Sequence, residues 1–126
     1  MSASDHIKKY VQLTEILNSL TQEKRIRWTT TSRDDVFATK IEDRVIEIEI
    51  VPGRQGTSDI ELSLFNEQGE RIDSFLDTTL SDSGWTPNDG NGYTSMLGLH
   101  AAARRSATGA DDALDQILAS LMRGNS

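Results

Sequence analysis

Val45-Ile46-Glu47-Ile48-Glu49-Ile50-Val51 places three isoleucines on one side of an extended chain and two glutamates on the other. Successive side chains of a strand point to opposite faces, so this heptapeptide predicts a strand with one face in a core and one in water. Pro52 ends it, Gly53 to Thr57 make a loop, and Ile60, Leu62 and Leu64 restore the alternation with Glu61 and Ser63 outward. The two runs therefore pair as a hairpin. Asn66-Glu67-Gln68-Gly69 has the form of a tight turn closing on a left-handed glycine, and it leads to a further extended run over 71–76.

Working back toward the N-terminus, Val36 to Ile41 is extended between the Ser32-Arg33-Asp34-Asp35 turn and the Glu42-Asp43 corner. Ile26 to Thr31, rich in β-branched and aromatic residues, predicts one more strand, with Trp28 anchoring the sheet to a helix. That helix runs from about Asp5 to Lys24, where Ile7, Tyr10, Val11, Leu13, Ile16, Leu17 and Leu20 recur at helical spacing. Its apolar stripe is wide. Such a helix is either buried over much of its circumference or shares one flank with a partner.

Toward the C-terminus, Asp77 to Thr94 shows no period and carries Gly84, Pro87, Gly90 and Gly92, so it reads as a long loop. Two helices follow. Met96, Leu97, His100 and Ala103 share a face of the first, and Leu114, Ile117, Leu118, Leu121 and Met122 form a narrow stripe on the second. Gly109 separates them as a C-cap, with Arg104 and Arg105 before it and Asp111 and Asp112 after it, each where the helix dipole favours its charge. The whole predicts one α+β domain over residues 1–126. It has an N-terminal helix, a four- to five-stranded antiparallel meander, and two C-terminal helices packed on one sheet face.

The chain of 126 residues carries a net charge of −7 and a pI near 4.7. Its field repels phosphate backbones and anionic membranes, which argues against nucleic acid and membrane as partners; it would speed encounter with a basic protein, though mild acidity is common in cytosolic proteins and does not by itself select such a partner. It has no cysteine, which removes disulfides, thiolate metal sites and thiol nucleophiles. Met1 to His6 is not the start of a signal peptide, so a cytoplasmic location is expected.

No residue pattern here carries catalysis. His6 and His100 lack a second ligand at metal-binding spacing. Gly53-Arg54-Gln55-Gly56-Thr57-Ser58 links two strands and lacks the Gly-Lys-Ser/Thr ending of a phosphate loop. Asn88-Asp89-Gly90-Asn91-Gly92 is like a fragment of a calcium loop without its closing glutamate, and no Gly-x-Ser-x-Gly occurs. No catalytic residue, metal or cofactor is expected. The candidate partner-binding residues are Glu47, Glu49 and Glu61 on the wet sheet face, with Trp85 and Tyr93 in the loop before the tail. Alternating glutamates also serve simply to keep such a face wet, and loop aromatics also tuck back into a core.

The tail from Leu97 to Leu121, with its Ala103-Arg104-Arg105 segment, Gly109, Asp111-Asp112 turn and final Leu/Ile-rich helix, resembles that of small bacterial α+β proteins of unassigned function. The resemblance implies a bacterial origin and a shared fold, and it carries over no active-site residue. The function expected is a non-enzymatic protein-binding or regulatory module, inhibitor-like or adaptor, with a homodimer compatible with it. Two alternatives stand beside it: an acidic secretion-chaperone-like protein holding a client segment, and a small-molecule or divalent-ion binder.

Overall fold

The structure, a computed structural model, describes residues 3–53, 56–82 and 92–124. Helix α1 (Ala3–Gln22) leads into strands β1 (Thr29–Thr30), β2 (Val36–Ile41), β3 (Arg44–Pro52), β4 (Ser58–Phe65) and β5 (Arg71–Leu76). Helices α2 (Asp77–Asp82), α3 (Gly92–Thr108) and α4 (Ala110–Gly124) follow. The strands form one antiparallel meander in the order β1-β2-β3-β4-β5, so the fold is the expected α+β arrangement.

Register sorts the side chains into two faces. Phe37 pairs with Ile48, Ile48 with Leu62 and Leu62 with Phe75, which stacks one apolar row across four strands. That row meets Leu17 of α1, Leu80 of α2, and Met96, Leu99 and Ala103 of α3 in a single core. The helices thus cover one face. Tyr10 stacks on Phe75 with ring centroids 4.3 Å apart, and its hydroxyl donates to the Asp73 carboxylate, 3.0 Å from each oxygen. Burial first, and Asp73 second, raises the Tyr10 pKa.

The turns follow from local chemistry. Gly69 has φ of +81°, and the Asn66 side-chain oxygen accepts the N–H groups of Gln68 and Glu70 at 3.0 Å each.

Two readings change. The Ile26 to Thr31 run is strand only at Thr29–Thr30, because the backbone before it is bonded elsewhere. The Trp28 N–H goes to the Ser106 hydroxyl at 2.9 Å, and the Arg27 carbonyl accepts the Thr39 hydroxyl at 2.8 Å. The segment from Asp77, expected as a loop, begins instead with α2. Its first residue supplies the reason: β5 stops at Leu76 opposite Glu61, and the Asp77 carboxylate accepts the Ile60 N–H at 2.8 Å beyond the end of the ladder. Leu80, one turn on, is fully buried.

The last helix behaves differently from the rest. α4 has no buried residue, and Leu114, Ile117, Leu118, Leu121 and Met122 are 49–75% exposed. The tail helices were expected to close the core together; α3 does so and the stripe of α4 does not. Only Gly109 lies between the end of α3 and the start of α4. Two helices need a loop of about 2–5 residues to fold back on each other, so one residue cannot lay α4 along α3 of its own chain.

Candidate functional site

The glutamates selected from the sequence do converge on the sheet face opposite α1, α2 and α3. Glu49 and Glu61 are register partners on β3 and β4, and Glu47 lies two residues along on the same face, opposite Ser63. Their charge is largely answered within the chain. Arg33, in the β1–β2 turn, donates from Nη2 to Glu47 at 2.9 Å and from Nη1 to Glu49 at 3.1 Å. Arg71 of β5 stands 3.9 Å from Glu61. Three carboxylates against two guanidiniums leave one formal negative charge on the patch. The pairing arginines went unread, because Arg33 sits in a turn whose direction alternation does not report.

Tyr93 is the second residue of α3 and is 37% exposed. Since α3 packs on the opposite face of the sheet, Tyr93 does not join the glutamates. Trp85 lies outside the described residues. His100 is buried, its Nε2 2.8 Å from the Asp35 carbonyl oxygen and its ring 5.3 Å from that of Phe37, so it is a packed side chain. His6 is exposed. Among the described residues no group of three or more His, Cys, Asp or Glu is placed to hold a metal ion, and no helix is long and apolar enough to cross a membrane.

What sequence reasoning missed lies around α3 and α4. A groove of about 500 Å³ runs between α3 and the end of β3, lined by Ile50, Leu97 and Ala101 with Arg104, Arg105 and Asp35 beside them, and it reaches Ala110 at the start of α4. Ile50 belongs to the core face of β3 yet is 42% exposed, and Leu97 is 38% exposed. Both are therefore core-type side chains left partly exposed among the described residues. A second cleft, of about 290 Å³, sits where α1, α3 and α4 meet; it mixes Lys24 and Arg27 with Asp111 and Asp112. Across it Arg105 Nε donates to the Asp111 carboxylate at 2.7 Å, tying the start of α4 to α3.

No family model, curated protein or solved structure matches the chain.

Proposed function

We propose that the chain is a non-enzymatic protein-binding module whose docking element is α4, seated in an apolar groove with a basic rim on a protein partner. The observation that carries this is the solvent exposure of all five large apolar side chains on α4. An amphipathic helix gains stability by burying its stripe, and a helix that leaves the whole stripe in water is the form taken by docking helices before they meet a groove. The charge of the rim follows from Asp111, Asp112 and Asp115, which make the N-terminal half of α4 acidic.

In this reading the sheet face of Glu47, Glu49 and Glu61 is secondary, because a basic partner there must displace Arg33 and Arg71. The setting is the cytoplasm of a bacterium, and the activity is regulation or adaptation by binding.

The test is affinity capture from native cells with the wild-type chain and with Leu118→Asp, a change at an exposed position that leaves the core intact. The expected result is a partner held by the wild type and lost by the variant. Identical sets of captured proteins, together with an unchanged solution mass of the variant, would overturn the reading.

A further inference from the structure

The groove that α4 requires is present on this chain. We infer that the occupant is a second copy: α4 of one protomer lies in the groove between α3 and β3 of its partner, reciprocally, in a two-fold dimer built by exchange of the last helix. This inference rests on α4 being the docking element and names what it docks to.

Three observations support it. The first is apolar match: the groove leaves Ile50, Leu97 and Ala101 uncovered, and α4 leaves Leu114, Ile117, Leu118, Leu121 and Met122 uncovered. The stripe from 114 to 122, about 12 Å long, fits within the about 17 Å spanned by residues 97–108 of α3.

The second is charge. Arg105 is already bound to Asp111 of its own chain, so the groove's contribution is Arg104, toward the C-terminal end of α3, with Asp35 also in the lining, and that of α4 is Asp112 and Asp115 in its first half. When α4 runs antiparallel to the partner's α3, the first half of α4 meets Arg104, and Leu118 and Leu121 meet the exposed Leu97 and Ile50. The parallel orientation sends the acids to the apolar end. Complementarity thus selects one orientation.

The third is the hinge. A single residue between α3 and α4 forbids the fold-back that would let α4 fill its own groove, and short hinges of this kind favour exchange between chains. In the antiparallel arrangement the two Gly109 hinges lie close to the two-fold axis, so each helix crosses directly to the other protomer.

The arrangement separates two surfaces that an ordinary helix-to-helix dimer would not. Size-exclusion chromatography with light scattering on the full chain should give twice the monomer mass of 13.9 kDa. Leu118→Asp, on the helix, and Leu97→Asp, in the groove, should each give the monomer mass. Ala101→Asp, at an exposed groove position, repeats the groove test should Leu97→Asp fail to fold. Mixing the helix variant with the groove variant should restore dimers, because one of the two docking contacts is then intact.

A wild type that stays monomeric at every concentration would overturn the inference. So would a groove variant that remains dimeric, which would mean that α4 pairs with α4. Neither result touches the broader reading of α4 as a docking element, which falls only if Leu118→Asp also leaves the captured partners and the mass unchanged.

Discussion

The indole Nε1 of Trp28 donates to the Thr21 hydroxyl over 2.9 Å, and that hydroxyl donates in turn to the Leu17 carbonyl at 2.7 Å. Trp28 is 2% exposed and Thr21 6%, so neither indole nor hydroxyl can turn to water. With the Trp28 N–H held by Ser106, this one residue joins the end of α1, the entry to the sheet and the end of α3. Thr21→Val keeps the shape and strands the indole N–H, a loss of about 1–3 kcal/mol. Thr21→Ser keeps the acceptor and should lose less. Urea unfolding of the two variants measures the difference, and equal midpoints would show that the hydrogen bond contributes nothing.

Asp77 links the end of the ladder to α2, and it does so at a cost in charge. Burial raises its pKa above the ordinary 3.8, the Ile60 N–H bond works against that shift, and nearby Asp59 adds to it. The neutral carboxyl is then the form the fold prefers. Its contribution to stability is complete below the ordinary carboxylate pKa and is lost as pH rises through the raised value. Asp77→Asn keeps an acceptor for Ile60 without a charge. The variant should gain on the wild type as pH rises above the ordinary carboxylate value of 3.8. Parallel stability curves over that range would contradict the assignment.

Arg33 holds Glu47 and Glu49 while remaining about half exposed. Exposed pairs contribute little, so Arg33→Ala should cost less than about 1 kcal/mol at ordinary ionic strength. The informative readout is salt dependence. Without Arg33, Glu47, Glu49 and Glu61 repel one another across adjacent strands, and screening relieves that repulsion. Added sodium chloride should therefore raise the melting temperature of the variant more than that of the wild type.

The sheet was legible because its signal has period two. Ile46, Ile48, Ile60 and Leu62 alternate with polar residues, and all four are buried in the core. Alternation reports which side a residue faces and says nothing of what stands there. Ile50 belongs to the same series and is 42% exposed, in the groove that α3 leaves beside the end of β3. α2 went unread for a related reason, since a six-residue helix is too short to display a period, and its leading Asp77 is positioned by Ile60 of a distant strand. The stripe on α4 was legible as a pattern, but periodicity marks a face that needs burial without saying which chain buries it. The cue was the spacing of the tail: one residue at Gly109 is enough for a cap and too few for a hairpin.

That spacing gives the last prediction. Gly109 has φ of +71°, a conformation that favours glycine, and space around it is open, so the hinge is constrained by its length and not by crowding. Inserting Gly-Ser-Gly after Gly109 brings the connection into the range of about 2–5 residues used by antiparallel helix pairs. α4 can then lie in the groove of its own chain, with its leucines on Ile50 and Leu97 and its acids beside Arg104. Closing a short intramolecular loop costs less than bringing two chains together at micromolar concentration, so the insertion should convert the dimer to a monomer. The monomer should also protect the amides of α4 from hydrogen exchange, where Leu118→Asp leaves them fraying. An insertion variant that keeps the dimer mass, or that is monomeric with α4 unprotected, would show that the length of the hinge does not direct the last helix to the partner.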